Sequence, residues 1–267
     1  MQNRFVGDVG DFGKYGLLRA LCGVHPDRAE RLRLGVIWYL VPDQGNPGHG
    51  KHTGYLKDRK RQQYRPCDPL LYNRLRDIVC SNARSVASIQ GSDIFPSDTR
   101  YYDDPLSFDA LPWQGPQTEH TRSDHRCKWF QQALDNAKDC DLVLVDPDNG
   151  LECESVKAHH KDGAKHVCLD ELRQILRRPR SLVIYHHLCF DRTAKEQIAD
   201  WRSRLIDDLD LEVDQVRALW FHRGTARVFF VVACNRHLGT IAERLNRFLG
   251  EWLRHAGERK PHFELVR

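Results

Sequence analysis

Three short, uninterrupted apolar runs constrain this chain most: RLGVIWYLV (33–41), DLVLVD (141–146) and SLVIYHH (181–187). Each has strand length and no polar face, so each reads as a strand covered on both sides. Between them lie segments with helical spacing. DPLLYNRLRDIVC (68–80) carries Asp68 as a cap and Pro69 in the first turn, and SDHRCKWFQQALDNAK (123–138) opens on a serine cap. VCLDELRQIL (167–176) and TAKEQIADWRSRLIDDL (193–209) follow the same pattern. Strands alternating with helices imply crossover units and a parallel sheet. The ending differs. EVDQVRALWF and TARVFFVVAC are joined by the tight His222-Arg223-Gly224 turn and must pair antiparallel.

An N-terminal helix is expected from Asp11, with Tyr15, Leu18 and Leu21 on one face, fading near His25-Pro26. SVASIQ (85–90) reads as a weaker strand, TRYY as a short one, and a last helix runs from about Leu238 to His255. The expected fold is therefore α/β: a three-layer, Rossmann-like sandwich whose mostly parallel sheet ends in an antiparallel hairpin. One domain spans 1–267, with an irregular insertion around 95–122.

Apolar residues make up 40% of the 267, enough for a core, and no apolar run approaches the roughly 20 residues of a membrane span. The polar, early-acidic N-terminus does not read as a targeting peptide, so a cytoplasmic protein without membrane contact is expected. Nine cysteines without a CxxC pair argue against a structural zinc site and for reduced thiols. The net charge is +4, and two basic runs, 57–65 and 173–180, leave a polyanionic partner open.

In an open parallel sheet, ligands sit beyond the carboxyl ends of the strands. The polar groups there are Asp43 with Gly45, Gly48 and Gly50; Gly91-Ser92-Asp93; Asp146-Pro147-Asp148-Asn149; and Tyr185-His186-His187. Glycines let backbone N–H groups approach a ligand, although this spacing lacks both the dinucleotide fingerprint and a Walker lysine. His49, Lys51 and His52 add candidate phosphate or substrate contacts. A plain turn explains Pro147, Asn149 and Gly150 but not an Asp that directly ends a strand and a second Asp two residues on. Two readings of that pair remain: a carboxylate dyad on Mg²⁺, or Asp146 accepting hydrogen bonds from an amino group. Of His186 and His187, only one can face the cleft, because neighbours on a strand point to opposite sides. The His-rich 157–166 stretch lacks a repeated carboxylate–His spacing, so it is not read as a metal site.

The N-terminal Gly7-Asp8-Val9-Gly10-Asp11-Phe12-Gly13-Lys14-Tyr15, taken with VDPDNGLE at the later strand, resembles the bacterial large-subunit ribosomal RNA adenine-N6 methyltransferase family and its uncharacterised relatives. That family opens with a Gly-Asn-x-x-Asp-x-x-Lys-His motif and carries an Asp-Pro-Pro-Tyr loop. The resemblance implies a class I fold and an S-adenosylmethionine cofactor. It places Asp11 and Lys14 near the cofactor pocket, Asp43, Gly45 and Gly48 at the cofactor loop, Gly91 and Ser92 in its wall, and Asp146 on the target amino group. Asp93, Asp103 and Asp104 are candidates for the ribose-binding acid. Asp148 or His187 would complete proton transfer, and Asn149 completes the loop. Where the family has Pro-Tyr, this chain has Asp148-Asn149; it lacks the aromatic that stacks on an extruded base, and the acceptor stays open. The expected function is a methyltransferase-like enzyme modifying a nucleic acid or nucleotide. The competing expectations are a Mg²⁺-dependent nucleic-acid hydrolase on Asp146 and Asp148, and a catalytically inactive binding protein of the same fold.

Overall fold

A computed structural model describes residues 1–24, 31–43, 50–111, 115, 117–189, 191–256 and 260–266. The helices are α1 (Val9–Cys22), α2 (Arg61–Tyr64), α3 (Pro69–Cys80), α4 (Val86–Gln90), α5 (Thr118–Asn136), α6 (Leu169–Leu176), α7 (Ala194–Asp208) and α8 (Leu238–Arg254). The strands are β1 (Leu34–Ile37), β2 (Arg100–Tyr102), β3 (Leu142–Val145), β4 (Gly150–Leu151), β5 (His166–Val167), β6 (Ser181–His187), β7 (Val216–Phe221), β8 (Arg227–Val232) and β9 (Phe263–Val266). Seven strands form one sheet in the order β2-β1-β3-β6-β8-β7-β9, while β4 and β5 pair separately. The four strands from β2 to β6 run parallel, and β8, β7 and β9 continue antiparallel. The α/β fold is thus a Rossmann-like three-layer sandwich.

Strand alternation divides the core into two. Leu142, Leu144, Val183, Phe229 and Val231 face the side covered by α1, α3, α4 and α8. Val143, Val145, Leu182, Ile184, Val228 and Phe230 face α5, α6 and α7. The same parity decides where the polar residues at the strand ends point. Asp146 follows Val145 and so falls on the α1 side; so do Tyr185, His187 and Arg227, each one step from a residue of the other face.

Helix α1 packs closely against this sheet and α8. Its Gly10, Gly13 and Gly16 lie on one stripe, and a Cβ at each would sit 1.1 Å from the Arg227 guanidinium, 2.7 Å from the Phe221 ring and 2.3 Å from the Trp252 ring. Only hydrogen fits there. Asp8 caps the helix by accepting from Asp11 N, and Gly23 ends it in the left-handed conformation.

Three expectations need correction. The segment 85–90 is not a strand but the short helix α4: Ser85 accepts from Ser88 N as its cap, and Val86 and Ile89 are spaced three apart, as a helix requires. Helix α5 begins five residues earlier than Ser123, so that serine is interior rather than a cap; the short strand expected at TRYY is β2. The last strand β9, which pairs with β7, was not anticipated. Among the described residues no helix is long and apolar enough to cross a membrane.

Candidate active site

A cavity of about 340 Å³ opens at the carboxyl ends of β3 and β6, walled on one side by the N-terminal segment and α1 and on the other by the start of β8. Its floor is charged. Lys14 Nζ lies 2.6 Å from Asp146 Oδ2 and 2.9 Å from Asp11 Oδ1, with all three side chains about 4% exposed or less. The Tyr15, Trp38 and Tyr185 rings stand 5.1, 5.9 and 5.9 Å from the same ammonium. Two carboxylates and three π faces therefore offset the burial of the charge. The carboxylates hold Lys14 protonated, its pKa raised despite desolvation. Burial, with Asp8 and Asp146 nearby, outweighs Lys14 at Asp11 and lifts its carboxyl to about 6. One ammonium is shared by two acids. Asp11 also accepts from Gly7 N at 2.9 Å, which fixes the loop before the helix.

Asp148 turns toward the N-terminal segment: Gln2 Nε2 donates to it, and the amine of Met1 is 3.7 Å away. Asn149 bridges elsewhere. Its Nδ2 donates to His166 Nε2 at 3.2 Å, a role assigned from the 2.9 Å contact in which His166 Nδ1 donates to Leu151 O. Gly150 has φ +106°, and a Cβ there would meet His186 at 2.4 Å, so the loop's glycine serves both its turn and its close approach to β6. Of the two histidines, His187 lines the cavity, beside the Tyr185 hydroxyl at 3.4 Å. His186 points the other way, accepting from Leu151 N and packing on Trp201, and burial pushes its pKa down to about 3. Burial and the Arg227 charge likewise hold His187 below the usual histidine range.

The structure brings together Asp11, Lys14, Asp146, Asp148, Asn149 and His187, with Gly50 and His52 at the rim. It does not bring the remaining candidates to the same walls. Asp43 is exposed and receives Arg4 N at 3.5 Å, while Gly45, Gly48 and His49 lie outside the described residues. Ser92 bonds back to Ile89 O in the loop after α4, and Asp93 is spent on a bidentate pair with Arg74 at 2.6 and 2.9 Å on the surface. Gly91, Asp103 and Asp104 are not among the cavity's walls either. In the His-rich stretch, His159 meets Glu119 at 3.4 Å, and no three His, Cys, Asp or Glu side chains among the described residues converge to hold a metal ion.

Sequence reasoning missed Gln2, Asp8, Thr225 and Arg227. A signal was present for the last: RVFFVV opens on the one charged residue of an otherwise apolar strand, at the end that faces the strand-end cleft. The basic run 173–180 leads into the amino end of β6, and neither it nor the run 57–65 contributes a wall of the cavity.

In comparison with known proteins, no family model and no curated protein matches the chain.

Proposed function

We propose that the chain is an S-adenosylmethionine-dependent, methyltransferase-like enzyme acting on a nucleic acid or nucleotide. The observation that carries this reading is the 2.6 Å contact between Lys14 of the Asp-x-x-Lys helix and Asp146 at the carboxyl end of β3, inside a cavity next to the point where the sheet turns antiparallel. It joins the two motifs on which the family resemblance rests. The cavity's lining is compatible with the cofactor's amino-acid end: the Arg227 guanidinium matches a carboxylate. S-adenosylmethionine, when bound, supplies an electrophilic methyl group. The protein's own work is then alignment. Lys14 holds Asp146 in one orientation, Asp146 accepts a hydrogen bond from the acceptor's amino group, and His187, kept neutral by burial and by Arg227, stands beside them as a hydrogen-bonding imidazole.

The metal-hydrolase reading has less support. One oxygen of Asp146 accepts from Lys14, whose ammonium occupies the space beside it, and Asp148 is bonded to Gln2.

Titration calorimetry with S-adenosylmethionine and S-adenosylhomocysteine tests the proposal, followed by transfer of labelled methyl to RNA, DNA and nucleotides. Micromolar binding is expected in the wild type. It should persist in Asp146→Asn with turnover lowered by about 10²–10⁴-fold. Failure of both compounds to bind would end the methyltransferase reading, and Mg²⁺-dependent cleavage blocked by Asp146→Asn would replace it.

A further inference from the structure

We propose that Arg227, with Thr225 and His187, forms an oxyanion-binding subsite on the β8 wall of the cavity, which takes a phosphate or carboxylate group of the bound ligand. The inference concerns the charge of that ligand and does not depend on methyl transfer.

The Arg227 side chain is 7% exposed, yet it lines the cavity. It is held in place without being saturated. Nη2 donates to Thr225 Oγ1 at 2.6 Å, and Nε is 3.4 Å from Thr225 O. Asp8 Oδ1 lies 3.7 Å from Nη1, near enough to balance charge but beyond hydrogen-bond length. A buried guanidinium is stabilised fully only when charge-assisted hydrogen bonds replace its water. A ligand oxyanion on the cavity side would complete that set, and the planar fork suits two oxygens of one group.

The surroundings are shaped for this side chain. A Cβ at Gly10 would fall 1.1 Å from Nη1, and one at Gly224 would lie 3.3 Å from Nη2, so glycines on α1 and in the hairpin turn form a slot around the guanidinium. His187 is the direct cross-strand partner of Arg227 in the β6–β8 ladder, so both side chains stand on the same face. Its imidazole, held neutral by burial and by Arg227 itself, adds a hydrogen bond without a second charge. Arg4 and Lys165 also border the cavity, the latter paired with Asp162 at 2.8 Å. A purely structural Arg227, tying α1 to the hairpin through Asp8, would affect stability but not discriminate ligands by charge.

The test uses the full chain and two matched ligand pairs, adenosine 5′-monophosphate against adenosine, and S-adenosylhomocysteine against its decarboxylated analogue. Each is titrated calorimetrically, with inorganic phosphate as competitor and thermal melting as the fold control. About tenfold or greater preference for the oxyanion-bearing member of one pair is expected. Arg227→Gln should abolish it, and Arg227→Lys and Thr225→Val should reduce it without a matching loss for the member that lacks the oxyanion. Preference within the first pair identifies a phosphate, within the second a carboxylate. Absence of preference in both pairs, including absence of any binding, overturns the proposal. So does a preference that survives in folded Arg227→Gln or, should that variant not fold, undiminished in the other two. Phosphate selectivity without S-adenosylhomocysteine binding would instead overturn the cofactor assignment and leave this subsite standing.

Discussion

Lys14 is the residue on which the site turns, and its neighbour Asp11 makes that measurable. The Asp11 carboxyl is raised from 3.8 to about 6 in the folded protein, chiefly by burial. A raised folded value means that its contribution to stability is full below about pH 4 and is lost as pH rises through about 6. Wild-type stability relative to Asp11→Asn should therefore decline across that interval and level off above it. Urea denaturation at half-unit pH steps measures this, and a difference independent of pH would mean that Asp11 is ionised throughout. At this scale the sequence was informative by position: Asp146 stands out because it directly ends a buried apolar strand, whereas Asp11 and Lys14 were reached only through the family resemblance of their motif. For Arg227 the charge opening an apolar strand was the available signal, but no local pattern announces its contact with Asp8, which is distant in sequence.

Among the elements, α1 owes its position to what its glycines lack. Gly13→Ala puts a methyl 2.7 Å from the fully buried Phe221 ring, and overpacking of this kind costs about 1–3 kcal/mol. Gly250→Ala in α8 meets nothing within 4 Å, so there the better helix former should add about 0.5–1 kcal/mol. Opposite shifts of the urea midpoint are the expected outcome, and equal shifts would show that α1 does not pack as described. The element order was readable because buried parallel strands are continuous apolar runs flanked by capped helices. Short elements were not. Helix α4 is five residues long and strands β4 and β5 only two each, lengths at which tertiary contacts rather than periodicity decide the conformation.

For the molecule as a whole, nine free cysteines offer a probe of packing. Cys80, Cys127 and Cys189 are exposed, whereas burial pushes the Cys22 thiol up to about 12. A thiol reagent at neutral pH should titrate those three quickly and Cys22 only on unfolding; rapid loss of Cys22 in the native protein would contradict the α1 packing. The sheet's polarity and its two-sided core were legible because alternation assigns each strand residue to a face, but strand order was not, since it depends on contacts distant in sequence. That distance has a consequence in time. The Lys14–Asp146 bond spans 132 residues. At roughly 5–20 residues per second of synthesis, Lys14 waits on the order of ten seconds for its carboxylate. Until then α1, with three glycines and no sheet beneath it, is a poor helix exposing an apolar face, so the nascent chain should be most open to chaperone capture or protease attack before β3 has emerged.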